Sequence, residues 1–337
     1  MAAEKNYLVV VHGIGEHTEA SVKKDVKSVL SKISPGFNKN VETHAVVYNQ
    51  VFKDWIATAK SDWNAAIDKL ASTNHFTGAK DLLKKKLGND NQDFLETHAL
   101  DVALYLSTVG VKVQLEVALQ LTELLQAFIA GGDTRNRRIV ILGHSMGTAV
   151  VHDTLHKMIQ GGFEDDRANN LANMSLRINS LYQVANTSRL LKTTIDPTTV
   201  DTSVRPYPGG IIDRMYNVNH KFDPVPRVKP FKVDAQRWLP ETPYPDSMYQ
   251  DIELKAVLDQ DIHSLKHYLR DPRLHMPLLF ELDRDFDLPR NFRAKQVEYD
   301  KTTKKLIEAR LKKKVDAAKA KLADSARDVI LAFLDNL

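Results

Sequence analysis

Along the chain, apolar positions switch between continuous or alternating runs and a helical spacing near 3.6, and these switches predict strands and helices in turn. Tyr7–Val11 is a short, wholly apolar run that ends at His12-Gly13. A helical pattern follows from Ala20 to Ile33 and is broken by Ser34-Pro35-Gly36. Thr43–Tyr48 reads as the next strand. Asp54–Leu70 then places Trp55, Ile56, Trp63, Ala66, Ile67 and Leu70 at helical spacing, and Ala79–Leu87 is a short basic helix. Phe94–Ser107 and Val113–Ala130 give two more helices, the second apolar on most faces and stopped by Gly131-Gly132. Ile139–Leu142 is a β-branched run of the fully buried kind, and Ala149, Val150, Leu155 and Met158 share one face of the helix after it. Leu176–Val184 alternates as a strand, residues 185–212 are rich in Thr, Pro and Gly, and Arg214–Asn219 and Glu253–Leu258 read as further strands. In Phe292–Leu337 a stripe of Leu311, Val315, Ala318, Leu322, Ala326, Val329, Phe333 and Leu337 opposes Lys312–Lys314, Lys319 and Lys321.

Strands alternating with helices predict an α/β fold with a mostly parallel sheet of about six or seven strands. About ninety residues separate the second strand from the third, more than one crossover helix needs. Val113–Ala130 is the natural right-handed crossover into the third strand. Residues 52–96 are then a helical insertion, whose tryptophans belong to an apolar face that packs. The expected organisation is one large domain over 1–291 followed by a basic amphipathic helix over 292–337.

With 337 residues, 43% of them hydrophobic, the chain can bury one large core. No apolar run is expected to reach the roughly 18–20 residues of a membrane span, and the start lacks the pattern of a signal peptide, so the cytoplasm is the expected compartment, with signal-independent export left open. The absence of cysteine removes thiolate nucleophiles, disulfides and cysteine metal sites. Net charge is only +4, and residues 293–327, with about a dozen Lys and Arg against about half as many acids, account for the excess. The near-neutral remainder argues against nucleic acid as a partner. Gly13-Ile14-Gly15 lacks the further glycine and the Gly-Lys-Ser/Thr of a phosphate loop.

The chemistry concentrates at Gly143-His144-Ser145-Met146-Gly147. A buried strand, a Gly-x-Ser-x-Gly and a helical pattern in succession predict a sharp turn that lifts the Ser145 hydroxyl clear of the sheet edge. The glycines are needed where strand and helix close on each other. A helix starting at Met146 points its free N–H groups and positive dipole end at any anion formed beside Ser145. Asp223-Pro224-Val225-Pro226 is a rigid turn after a strand, able to hold a carboxylate in one orientation; Asp196, also before proline, is the alternative acid. Downstream, His263 and His267 are candidate bases. His263 is preferred because it stands where a loop enters a helix, within reach of a sheet edge, while His267 stays open. Four apart, the two histidines could share a helix face, but no intervening glutamate or third ligand accompanies them, so no metal site is expected.

A first strand ending in His12-Gly13, the Ser145 turn, Asp223 in an Asp-x-Val-Pro setting and a histidine further on, in the order Ser, Asp, His, together resemble the α/β-hydrolase superfamily, lipase and esterase branch, over roughly residues 6–285. The resemblance implies catalytic roles for Ser145, Asp223 and His263. It also implies oxyanion N–H groups on Ile14 and Met146, and a loop-ordering role for His12 and Gly13. The chain departs from the family in starting at the oxyanion strand and in carrying residues 52–96, which would cap the active site. The implied activity is carboxylic ester hydrolysis through an acyl-enzyme without cofactor. An amidase, a thioesterase or a catalytically silent binding or scaffold protein are the alternatives. The implied partner is a small-molecule or lipid ester. The basic segment 292–337 is expected to pack on the core or on a second copy of the chain, with peripheral membrane contact as the other use of such a helix.

Overall fold

The computed structural model describes residues 5–13, 15–58, 105–106, 108–132, 134–173, 176–191, 204–206, 210–227, 230–231, 248–258, 261–283, 285–287, 292–306 and 309. Six strands, β1 (Asn6–Val11), β2 (Val41–Val46), β3 (Ile139–His144), β4 (Ile178–Val184), β5 (Ile212–His220) and β6 (Tyr249–Leu254), form one sheet in the order β2-β1-β3-β4-β5-β6. Every neighbouring pair is parallel. The chain runs outward from β1 to β2 and then returns to place β3 on the other side of β1. This reversal of direction opens a crevice at the carboxyl ends of β1 and β3.

Side chains of successive residues in β1 and β3 point to opposite faces, and both faces are covered. Leu8, Val10, Val140 and Leu142 pack with Val22, Val26 and Leu30 of helix α1 (Glu19–Ile33) and with Leu269, Leu274 and Leu278. Val9, Val11, Ile139 and Ile141 pack with Val113, Val117 and Leu121 and with Ala149, Val150 and Leu155. Burial on both sides explains why these strands read as unbroken apolar runs instead of alternating ones. Helix α1 begins with a capping box, Thr18 accepting from the Ser21 N–H at 3.1 Å and Ser21 Oγ accepting from the Thr18 N–H at 3.0 Å. The short helix α2 (Phe37–Asn40) precedes β2, and helices α3 (Asn49–Thr58) and α4 (Thr108–Ala130) follow it. Helix α5 (Met146–Gln160) follows β3, with Gly161 at φ 65° as its left-handed stop. The chain closes its core with helices α6 (Ser188–Leu191), α7 (Pro224–Arg227), α8 (Leu265–Arg270) and α9 (Pro272–Leu282).

Several expectations are corrected. β2 starts and stops two residues earlier than its apolar run, because Tyr48 leaves the sheet to pack beside His12. β6 is Tyr249–Leu254, ahead of the apolar stretch that ends at Leu258. As the edge strand it exposes Gln250, Asp251 and Glu253, so hydrophobic pattern does not mark it. Helix α4 is long and apolar enough, by length and composition, to cross a membrane, contrary to the expectation of no such run. Its Val109, Val113, Val117, Leu121, Leu125 and Phe128, about one turn apart, form a stripe that is buried in the core. Residues 292–306 are helical, and Asp300 on that helix meets Arg273 of α9 at 3.0 Å. Most of the inserted segment 52–96, the helix expected over 94–107 in all but residues 105–106, and the apolar stripe 311–337 lie outside the described residues.

Candidate active site

β3 delivers Ser145 into the crevice at the reversal point. The serine caps helix α5 with φ 54° and ψ −128°, a conformation that costs a non-glycine residue free energy and must be held by its surroundings. The hold is visible. The Ser145 N–H donates to the Val184 carbonyl at 2.9 Å, and the Ser145 carbonyl accepts from Thr148 N–H at 2.9 Å, from Thr148 Oγ1 at 2.6 Å and from Thr187 Oγ1 at 2.9 Å. The glycines act through close approach. A Cβ on Gly147 would lie 2.3 Å from the carbonyl oxygens of both Val11 and His12, and one on Gly143 would lie 3.0 Å from Gly147 O and Thr148 Cα. Strand-to-helix crowding therefore accounts for Gly143, whereas Gly147 is required by the end of β1, a neighbour distant in sequence.

Three loops bring further side chains to Ser145. His263, just before the Ser264 cap of α8, places Nε2 2.8 Å from Ser145 Oγ and Nδ1 2.7 Å from Asp223 Oδ2. The tautomer follows from the partners: Nδ1–H donates to the carboxylate, and Nε2 accepts from the serine hydroxyl. Asp223 is completely buried, and its Oδ1 accepts from the Val225 N–H at 3.0 Å inside the Asp-Pro-Val-Pro turn. Burial pushes its carboxyl up, but His263, Tyr268 and the Val225 N–H outweigh this and hold it below the usual carboxylate range. Tyr268, on α8, donates to the same Oδ2 at 2.7 Å.

On the other side, Gly13 follows β1. A Cβ there would lie 2.8 Å from Ser145 Cβ, so glycine lets the β1 loop pass against the serine. His12 is buried and stacked on Tyr48 with ring centroids 4.3 Å apart. Its Nε2 accepts from the Tyr48 N–H at 3.3 Å and its Nδ1–H donates to the Gly13 carbonyl, while Tyr48 Oη donates to the His12 carbonyl at 2.9 Å. Burial, with His17 nearby, lowers the imidazole to about 3, so His12 is a neutral brace. His144 is likewise lowered to about 3, by burial and then by His263, and its Nε2–H donates to the His263 carbonyl at 2.8 Å.

Of the candidate residues, Ser145, Asp223 and His263 meet in one hydrogen-bonded line, with His12 and Gly13 beside the serine and Met146 opening α5 next to it. The Met146 N–H, in the first turn, has no acceptor within its own helix. His267 does not join them: it is buried in α8 with its ring edge-on to His220, centroids 5.1 Å apart. Ile14 and Asp196 lie outside the described residues. Among the described residues no group of three His, Asp or Glu side chains is arranged to hold a metal ion. Tyr268, Tyr48, His144 and Thr187 went unnoticed in the sequence. Tyr268 and Tyr48 are single aromatics within apolar patterns, and nothing in their spacing separates them from core residues. Chemically the arrangement can move a proton from Ser145 Oγ to His263 Nε2 and stabilise the resulting imidazolium against Asp223.

Comparison of the chain with protein-family models, with curated proteins and with solved structures gave no match in any of the three.

Proposed function

We propose that this chain is a serine hydrolase of the α/β-hydrolase type that cleaves carboxylic esters through an acyl-enzyme. The observation that carries the reading is the continuous line Asp223 Oδ2, His263 Nδ1, His263 Nε2, Ser145 Oγ, with steps of 2.7 and 2.8 Å, built from residues 40 and 118 positions apart. In this reading Ser145 Oγ attacks the ester carbonyl as His263 Nε2 takes its proton. Asp223 keeps the imidazole in the Nδ1–H tautomer and balances its charge. The carbonyl oxygen becomes an oxyanion at the start of α5, where the Met146 N–H supplies one donor, and the second is assigned to Ile14 on the family resemblance alone. Each such donor contributes about 3–4 kcal/mol in hydrolases generally. His263 then returns the proton to the departing alkoxide, and water attacks the acyl-enzyme with His263 again as base. Esters are preferred to amides as the substrate class because an alkoxide needs less protonation to depart than an amine does.

The test is direct. A fluorophosphonate should label the wild-type chain at Ser145, and p-nitrophenyl esters should be turned over. Ser145→Ala should lose both, and a wild-type chain that neither reacts nor turns over esters removes the reading.

A further inference from the structure

Asp223 Oδ2 is shared. It lies 2.7 Å from His263 Nδ1 and 2.7 Å from Tyr268 Oη, so one oxygen receives two donors while Oδ1 receives the Val225 N–H. Both donors come from one short stretch, His263 from the loop entering α8 and Tyr268 from the helix itself. Tyr268 is fully buried, and its hydroxyl also accepts from the His220 N–H at 3.1 Å, which leaves its proton directed to the carboxylate. His220 at the end of β5 and His144 at the end of β3 lie near enough to feel this carboxylate's charge. Burial keeps both below the ordinary imidazole range.

We propose that Tyr268 is a positioning residue for the base, acting through Asp223 as a second donor that divides the carboxylate's negative charge and sets how strongly His263 is held and how readily it becomes charged. The proposal rests on the serine hydrolase reading for its catalytic meaning, but the coupling it asserts is physical and is measurable without turnover. Two donors on one oxygen compete: the bond the carboxylate accepts from the phenol weakens it as an acceptor for the imidazole. Without the phenol the carboxylate is a stronger acceptor for Nδ1–H, the imidazolium is better stabilised, and the neutral base persists only at higher pH.

The experiment compares wild type with Tyr268→Phe, which keeps the ring and removes the hydroxyl, and with 3-fluorotyrosine at position 268, whose more acidic hydroxyl donates more strongly in the same shape. Two readouts are taken: the acid limb of the pH profile of fluorophosphonate labelling, and the chemical shift of the His263 Nδ1 proton, assigned by its absence in His263→Ala. In Tyr268→Phe the acid limb should move up by about 0.5–1 pH unit, slowing labelling about 3- to 10-fold below the limb, and the Nδ1 proton should move downfield. The fluorinated tyrosine should move both the other way. In an Asp223→Asn background the effect of Tyr268→Phe on the shifts of the carbon-bound His263 ring protons, which both tautomers keep, should vanish, because the shared charge is gone. If neither variant moves the limb or the proton, or if the shift survives in Asp223→Asn, the proposal is overturned while labelling of Ser145 still stands. A wild-type chain that resists labelling removes the hydrolase reading, and the proton shift still decides the coupling.

Discussion

Replacing Gly147 by alanine should damage the site more than any other single methyl group added near it. The new Cβ would sit 2.3 Å from two carbonyl oxygens at once, those of Val11 and His12. Ordinary carbon-to-oxygen contact needs about 1 Å more. Neither oxygen is free to swing aside. Val11 ends the interior strand β1, paired in register with Val46 on one side and Gly143 on the other, and the His12 carbonyl accepts from Tyr48 Oη at 2.9 Å. The first turn of α5 must therefore withdraw from β1 by about 1 Å, and Ser145, immediately before that turn, moves with it. Its 2.8 Å contact with His263 Nε2 is lost.

Overpacking of this kind destabilises by about 1–3 kcal/mol, and a reacting atom displaced by about 1 Å loses about 100-fold in rate. Urea unfolding measures the first and the fluorophosphonate labelling rate the second. Gly162→Ala is the control at the far end of the same helix, where a Cβ would meet nothing nearer than 3.6 Å. It should change stability by no more than about 0.5 kcal/mol and leave labelling alone. If Gly147→Ala matches wild type in both measurements, close approach of β1 is not what requires glycine there.

Asp223→Asn should lower the labelling rate about 10,000-fold, as in other Ser-His-Asp sites, because an amide neither selects the Nδ1–H tautomer nor balances the imidazolium; circular dichroism should show the fold retained. His263→Ala should abolish labelling, whereas His267→Ala should keep it and instead lower the unfolding free energy by about 1–3 kcal/mol through lost packing on His220; the reverse pattern would reassign the base. His275, buried on α9 with Nδ1 3.0 Å from the Leu269 carbonyl, is lowered to about 4 by burial, so it is neutral in the fold and readily charged when unfolded. Its folded value lies below its unfolded one, so its stabilisation is complete above the unfolded value and is lost as pH falls toward 4. From pH 7 to pH 5 this loss is about 2 kcal/mol, and urea titrations should show His275→Asn sparing the protein that amount.

The sheet was legible where both faces of a strand are buried. Tyr7–Val11 and Ile139–Leu142 mark strands as continuous apolar runs, the signature of burial on both faces, and Leu176–Val184 marks one by its alternation. The edge strand was not legible. Tyr249–Leu254 carries Gln250, Asp251 and Glu253 outward, and that polarity belongs to its exposed position. The reason for Gly147 was equally hidden. A five-residue pattern explains a glycine by its own turn, whereas the atoms that forbid a side chain belong to Val11 and His12, more than a hundred residues away. Asp223 was legible through its prolines; Tyr268 was not, since the partner that gives it meaning is 45 positions distant.

The histidines show what a fold adds to a sequence rich in one residue type. His12, His144, His220, His263 and His267 all follow or flank the carboxyl ends of strands, and composition treats them alike. Direction and desolvation separate them. His12 is buried and His144 half-buried, each with its ring N–H committed to a backbone carbonyl, so each braces a loop in the neutral state. His220 donates Nε2–H to the Ala256 carbonyl at 3.2 Å and accepts at Nδ1 from the Phe222 N–H, leaving no ring nitrogen for chemistry. His263 alone in this group has a carboxylate at one nitrogen and a serine hydroxyl at the other. Residues before a helix can turn their side chains over the sheet edge, whereas those one turn inside it are carried to the packed face, which is where His267 meets His220. The position of α8 relative to β5 thus sets which histidine meets Ser145, and the same helix brings Tyr268 as a second donor to the carboxylate that His263 pairs with.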